Sequence, residues 1–345
     1  MRISNVIDSG FLTKGRCDMH LAQIGRSGLF SAKLGFGCMG LSGSYGSVDR
    51  TAAINTVQAA IASDITLFDT ADVYGAGENE RLLGNAVSAQ RKQVLIATKG
   101  GATRDNRGHA TNCGTPEYLI SACEASLSRL GTDYIDLYYL HRIDPQVPVE
   151  ESIGAMARLV EQGKVRAIGL SEVSEATLRR ACQIHPISAL QSEFSLSCRQ
   201  PAQSMFKVCK ELDVSFVSYS PLGRGLLTGL LPGSVTGSSG DLRKGIPRFS
   251  PDNIEHNLQL VARVSALAES LGLTTAQLAL AWVLNQPSAP LAIPGTRSAA
   301  RVTQNVRAAD VTLGDDVLEE LDDLFAEGAI RGERHNAQML ARVGL

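Results

Sequence analysis

Three side chains in this sequence sit where packed strands would stop, and a fourth lies in the loop beyond one of them. Asp69 ends the apolar run Ile65-Thr66-Leu67-Phe68, Lys99 follows "VLIAT", and His141 follows "DLYYL". Tyr74 stands in the loop five positions beyond Asp69. An ammonium that is partly desolvated is costly unless it is paired, and Asp69 on a neighbouring strand can supply the counter-charge to Lys99. The field left over would favour the phenolate of Tyr74. An ordinary tyrosine has a pKa near ~10, too high for efficient proton transfer near neutrality, and a nearby ammonium lowers it. A phenol tuned in this way is a general acid for an oxygen that becomes negative during reaction. Hydride addition to a carbonyl requires such a donor, and His141 can orient the oxygen or join the proton path.

These residues need a scaffold that brings strand ends together. Short β-rich runs recur: "AKLGFG" (32–37), "TLFD" (66–69), "VLIATK" (94–99), "IDLYYLH" (135–141), "VRAIGLS" (165–171), "ISALQS" (187–192), "VSFVSYS" (214–220) and "PLAIP" (290–294). Helical patterns lie between them, with start signals at Thr115-Pro116-Glu117, Pro148-Val149-Glu150 and Thr274-Thr275, and glycine stops at Gly131 and Gly163. The strands are apolar throughout, which predicts parallel strands covered by helices. Eight such units predict an α/β fold, a (β/α)8 TIM barrel. An added helix near 253–272 and a Gly/Ser-rich loop (233–241) precede strand eight. A further helix, "DDVLEELDDLFAEG", and a tail follow it. No linker divides residues 19–345, so they are expected to form a single domain. In such a barrel Asp69, Lys99, His141, Ser171, Gln191, Ser192, Tyr219 and Ser220 all face one mouth, where barrel enzymes keep their active sites. One polar strand end means little; Asp, Lys and His on three consecutive strands mean more.

The motif "GFGCMG" (35–40) matches the dinucleotide pattern G-x-G-x-x-G, but that pattern needs a helix opening on its last glycine. Here "LSGSYGS" follows and the helix is predicted only near Asp49. The motif therefore reads as the first barrel strand turning into a loop, with Gly37 allowing close approach to the backbone, for instance by a cofactor. At the far end, "IPGTRSAARVTQN" (293–305) turns at Gly295 and enters a helix near Ser298. A helix N-terminus offers unpaired N–H groups to an anion, Thr296 adds a hydroxyl and Arg297 a planar fork suited to phosphate. A capped helix with a solvated arginine is the alternative reading.

Composition narrows the function further. The 345 residues carry a net charge of -2, with 44% hydrophobic and 20% charged residues. No basic stripe suggests nucleic acid, and no apolar run is long enough to cross a membrane. Residues 1–18 lack the apolar stretch of a signal peptide and read as a floppy extension or an upstream start, with Met19 an alternative. The seven cysteines (17, 38, 113, 123, 182, 198, 209) are scattered without C-x-x-C, as expected for reduced thiols in a cytoplasmic protein. His20, His109, His185, His256 and His335 are isolated, and no metal site is expected. Tyr134, Tyr138, Tyr139 and Trp282 read as packing aromatics. Arg104, Asp105, Asn106 and Arg107 read as a solvated loop after strand three, able to line the mouth.

Taken together, "FDTADVYGAGENERLLG", "ATKGG", "YIDLYYLHRIDPQVPVEES", "GKVRAIGLSE", "SYSPLGRGLLTG" and "IPGTRSAARVTQN" resemble the aldo-keto reductase superfamily over nearly the whole chain beyond residue 18. The wording "HRIDP" and "GLSE" resembles the branch with pyridoxal and general aldehyde reductases. The resemblance implies a catalytic tetrad of Asp69, Tyr74, Lys99 and His141. It implies nicotinamide-amide contacts from Ser171 and Gln191, and ring stacking by Tyr219. A loop over the pyrophosphate would comprise Ser220, Pro221, Leu222, Gly223 and Gly225. Phosphate and adenine contacts would come from Gly295, Thr296, Arg297, Gln304 and Asn305. The cofactor implied is NADP(H), with Arg297 on the 2′-phosphate, and the partner a small carbonyl substrate reduced to its alcohol in a reversible reaction. Glu172 departs from the asparagine found in many members. Gln304 replaces a common acid, though its amide oxygen can still meet the adenine amino group. Some members of this fold serve instead as cofactor-binding regulatory subunits of ion channels with incidental catalysis; the sequence carries no feature that suggests a membrane partner. Specificity is expected to lie in loops 101–114, 142–148, 193–200, 222–252 and the tail after Glu327. The oligomeric state is not legible.

Overall fold

Eight parallel strands pair in the order in which they occur: β1 (Phe36–Gly37), β2 (Leu67–Asp69), β3 (Leu95–Gly100), β4 (Ile135–Leu140), β5 (Val165–Ser171), β6 (Ile187–Glu193), β7 (Ser215–Tyr219) and β8 (Leu291–Ile293). The ring closes where Gly35 N donates to Ala292 O (2.8 Å), Ala292 N to Lys33 O (2.9 Å) and Gly37 N to Pro294 O (3.1 Å). The expected barrel is therefore present. The computed structural model describes residues 21–105, 108–200, 202–231, 240–288 and 290–345. The expected N-terminal extension, Asn106, Arg107, His20, Cys17 and most of the Gly/Ser-rich loop lie outside the described residues.

Helices alternate with the strands: α1 (Arg50–Ala62), α2 (Glu78–Val87), α3 (Pro116–Leu130), α4 (Val149–Glu161), α5 (Glu175–Ile184) and α6 (Ala202–Glu211). The added helix α7 (Pro251–Ser270) precedes α8 (Thr275–Leu284), and α9 (Ala299–Val306) and α10 (Asp315–Leu324) follow β8. The start signals act as local chemistry requires. Thr115 caps α3 with Pro116 in its first turn, and Thr274 and Gln277 form a reciprocal capping box on α8. Asp49 caps α1 through Ala52 N at 2.8 Å. Gly131 ends α3 with φ 63°, a conformation that costs glycine nothing. Among the described residues no single helix is long and apolar enough to cross a membrane; α7 and α8 reach the length only as a pair bent by 89°.

Strand periodicity decides which residues reach the mouth. Leu67, Ala97, Leu137, Tyr139, Ala167, Ala189, Val217, Leu291 and Ile293 fill the barrel interior. The intervening Phe68, Ile96, Tyr138, Leu140, Ile168, Leu190 and Phe216 pack outward against the helices. Side chains alternate along a strand, so the next inward positions are Asp69, Lys99, His141, Ser171, Gln191 and Tyr219. The site is one further layer of the same interior, built of polar groups. The expected packing aromatics are there: Tyr138, Tyr139 and Trp282 are fully buried.

Two hairpins were not anticipated. The expected first strand, 32–37, is divided: Phe30–Ala32 pairs antiparallel with Leu21–Gln23, and only Phe36–Gly37 runs in the barrel. The hairpin inserts Ile24 and Leu29 into the interior cluster and so closes the barrel's lower end. After β3, the expected loop forms a second hairpin, Ala102–Arg104 with Ala110–Asn112.

At the seam, a Cβ on Gly37 would lie 2.7 Å from Ile293 O, and one on Gly295 would lie 2.7 Å from Gly37 O. Backbone on both sides leaves no side chain to yield. Gly295→Ala is therefore expected to cost roughly 1–3 kcal/mol, the scale of overpacking. It should lower the urea midpoint with little change in slope.

Candidate active site

Lys99 is 1% exposed and sits under the floor of the mouth. Its Nζ pairs with Asp69 Oδ1 and donates to Thr70 O at 2.8 Å. Gln191 Nε2 donates to the other Asp69 oxygen at 2.7 Å, so both carboxylate oxygens are engaged. The ammonium lies 5.3 Å from the centre of the Tyr74 ring. Tyr74 meets His141 edge-on with ring centres 5.9 Å apart. The four residues thus form one contiguous cluster, as the strand ends predicted.

The electrostatics depart from expectation at one point. Lys99 pulls the Tyr74 phenol down, as its charge requires, but burial acts more strongly and Asp69 adds to it. The phenol therefore stands above its ordinary value, not below it. Burial opposes the charge on Lys99, yet Asp69 and Tyr74 together hold its pKa above the ordinary lysine value. His141 is pushed well below the ordinary histidine value by burial, then by Arg142, Lys99 and Arg342. Its ring is neutral, with one N–H and one lone pair.

A cavity of about 1550 Å³ opens above the cluster, more than a drug-sized ligand alone requires. Asp69, Tyr74, His141, Gly37, Ser171, Gln191, Tyr219, Ser220, Pro221, Leu222, Gly225, Gly295, Thr296, Arg297, Gln304 and Asn305 all line it. Lys99 lies beneath it. Gly223 is buried below the loop, where a Cβ would come within 2.8 Å of Ser197 Oγ. The arm under α9 is suited to an anion. Ser298 makes no side-chain cap on α9, and Thr296 Oγ1 accepts from Ser298 N at 3.2 Å. Arg297 reaches Ser47 O at 3.3 Å. Among the described residues neither Arg297 nor Arg301, one turn further on, has an ion-pair partner, whereas Arg224 pairs with Glu193 at 3.1 Å and Arg243 with Asp241 at 2.6 Å. A glycine-walled groove ending in unpaired guanidinium groups fits a phosphorylated dinucleotide. Among the described residues no cluster of metal-binding side chains occurs.

Several lining residues escaped the sequence reading. His335 is not isolated: it lies 3.4 Å from Tyr219 Oη and 3.7 Å from a Glu193 oxygen, and burial brings its pKa down to about 4. Asn336, Met339 and Arg342 come from the tail, expected as a whole to bear on specificity, with no motif that singles out these three. Arg142 opens the 142–148 loop in which specificity is expected, within "HRIDP". Glu172 turns away from the cavity with φ 56°. Arg334 of the tail grips its two oxygens at 2.7 and 2.8 Å, Glu193 N donates to it at 2.9 Å, and Gly344 N donates to its carbonyl at 2.7 Å. Its departure from the asparagine pattern thus has a local purpose: it ties the tail down.

The described geometry agrees with comparisons to known proteins. The model of the aldo/keto reductase family matches residues 33–326. A probable aldo-keto reductase 1 of Glycine max is 43% identical over 317 residues, covering 91% of each chain. Among solved structures, a glycerol dehydrogenase from Gluconobacter oxydans superposes with a TM-score of 0.80 at 27% identity, over 89% of this chain and 94% of the other. The holo form of an aldo-keto reductase from Bacillus halodurans gives 0.74 at 29% identity, over 92% and 99%.

Burial raises the Glu172 carboxyl, but the Arg334 fork, Arg142 and Glu193 N outweigh it and bring it down to about 2. A carboxyl whose folded pKa lies below its unfolded value stabilises the fold above the unfolded pKa. That stabilisation is lost as pH falls towards the folded one. Glu172 should contribute ~3 kcal/mol above pH ~4.5, lost towards pH ~2. In urea unfolding at several pH values, Glu172→Gln is expected to be less stable at pH 7 by roughly 2–4 kcal/mol, because Arg334 keeps only the longer contact to Glu193 at 3.6 Å. Its stability should also decline less than that of the wild type between pH ~4.5 and ~2.

Proposed function

The chain belongs to the aldo/keto reductase family, and we propose that it reduces an aldehyde or ketone to the alcohol with NADP(H), reversibly. The observation that carries this reading is the buried Lys99 ammonium, held by Asp69 and facing the Tyr74 phenol beneath a cavity large enough for a dinucleotide and a small substrate. When bound, the nicotinamide supplies or accepts a hydride.

The chain's own groups manage the proton. Burial keeps Tyr74 protonated until a substrate oxygen gains charge. The phenolate formed on proton transfer is then stabilised by Lys99, whose own positive charge is secured by Asp69. The neutral His141 donates its N–H to the same oxygen, orienting the carbonyl without competing for the proton. In the reverse direction Tyr74, as phenolate, takes the alcohol proton. Gln191 holds Asp69 in place. Ser171, Gln191 and Tyr219 would hold the nicotinamide end, and the 220–225 loop the pyrophosphate. Arg297, with Thr296 and Arg301 beside it, would hold the 2′-phosphate. The six described cysteines are all free, which supports a reducing compartment such as the cytoplasm.

Tyr74→Phe is expected to bind NADPH normally while losing carbonyl reduction by roughly 10²–10⁴-fold, the scale of a positioned general acid. Steady-state turnover of several aldehydes alongside fluorescence titration of NADPH measures both. Near-wild-type kcat in this variant would remove the assignment.

Arg297→Met should raise the KM for NADPH roughly 10- to 150-fold with little change in kcat, as loss of one charge-assisted contact implies. The KM for NADH, which has no 2′-phosphate, should stay within about twofold. Parallel rises in both constants would mean that Arg297 serves the fold or the adenine instead.

A further inference from the structure

The substrate end of the cavity carries positive charge that carbonyl reduction does not use. Its wall combines Arg104 of the second hairpin, Arg142 beside His141, and Arg342 of the tail. Arg142 is 7% exposed. One Nη donates to His141 O at 2.6 Å and Ser171 Oγ at 3.0 Å, and its Nε is buried without a partner. Arg342 is held by uncharged acceptors, Thr111 O at 2.6 Å and Asn112 Oδ1 at 3.0 Å. Arg104 donates to Gly108 O at 2.9 Å.

Of the acids nearby, all but the exposed Glu269 are already engaged. Among the described residues none of these three arginines has an ion-pair partner, whereas Arg224, Arg243 and Arg334 each hold a buried carboxylate. The acids that line the cavity are Asp49, Asp69 and Glu269. Asp69 is taken by Lys99 and Gln191, Asp49 caps α1, and Glu269 lies on α7. Glu172 feels Arg142, but its oxygens are held by Arg334 and Glu193 N. The cations also act on one another: the Arg342 guanidinium is driven below its ordinary value by burial, then by Arg142 and Arg104. Three like charges around a half-enclosed space raise the local concentration of anions, and guanidinium forks match planar or tetrahedral oxyanions.

We propose that the substrate is a carbonyl compound that also carries an oxyanion, a carboxylate or a phosphate, bound by Arg142 and Arg342 beside the reacting centre. This rests on the carbonyl-reduction reading and names the substrate class for it. The oxyanion completes the ion pairs that the wall lacks and fixes which end of the molecule faces Tyr74 and His141.

The test uses matched pairs: succinic semialdehyde against its methyl ester, and glyceraldehyde 3-phosphate against glyceraldehyde, with NADPH. At least one charged member should exceed its neutral partner in kcat/KM by about tenfold or more, the scale of charge-assisted contacts. The pair that does so identifies the oxyanion. Arg342→Gln, which keeps amide donors for Asn112, should raise KM for the charged member about tenfold and leave the neutral one within about twofold. Arg142→Gln should lower kcat/KM for the charged member too; because Arg142 also holds Ser171 Oγ, only Arg342→Gln is read on the neutral member. Equal use of both members of each pair, or equal losses on both in Arg342→Gln, overturns the proposal. If no carbonyl compound is reduced, the carbonyl-reduction reading fails, and calorimetry decides the anion site by itself. Succinate or inorganic phosphate binding to the NADP⁺ complex, weakened in Arg342→Gln, upholds it; absence of binding by the wild type removes it.

Discussion

An ammonium buried inside a protein must be surrounded by oxygen, and much of this site follows from that demand at Lys99. Asp69 neutralises it, the Thr70 carbonyl accepts from it, and Gln191 on the far side of the barrel takes the remaining Asp69 oxygen. Asp69 and Thr70 stand at the end of β2, Lys99 in β3 and Gln191 across the barrel in β6, so a closed ring of parallel strands brings them together. The same demand explains why the phenol above is not acidified by the lysine beside it. The lysine's charge is largely committed to Asp69, and burial governs Tyr74.

The barrel was legible because parallel strands covered on both faces must be apolar throughout, and eight such runs alternated with capped helices. The tetrad was legible for a related reason. Along β4, Leu137 and Tyr139 fill the interior, and His141 is the next residue of the same parity. Along β2 and β3 the same step leads from Leu67 to Asp69 and from Ala97 to Lys99. What escaped the sequence depended on contacts with no local pattern. The N-terminal hairpin is only two strands of three residues, stabilised by Ile24 and Leu29 beneath the barrel. His335, Met339 and Arg342 reach the cavity because the tail folds back across it, which neither periodicity nor spacing near those residues announces.

That return of the tail gives the mouth a second, buried ionic layer. Glu172, just beyond β5, and Glu193 of β6 face Arg334 from the tail and Arg224 from the loop after β7. The arrangement couples elements that would hold the dinucleotide to elements that shape the substrate wall. Glu172 adopts a left-handed backbone to do this, a conformation that non-glycine residues hold only when their surroundings impose it. A substitution there therefore acts on both halves of the site without touching either ligand.

The seam between β1 and β8 also sets an order of events during synthesis. Asp69, Tyr74, Lys99 and His141 leave the ribosome long before Leu291–Ile293 and the Arg297 arm. Until β8 is made, the edges of β1 and β7 remain unpaired, and open edges invite association with other chains. A nascent chain at that stage would hold Asp69, Tyr74, Lys99 and His141 but neither a closed interior nor the Arg297 arm. A ribosome stalled shortly before residue 290 would therefore display a nearly complete barrel with both edges still open.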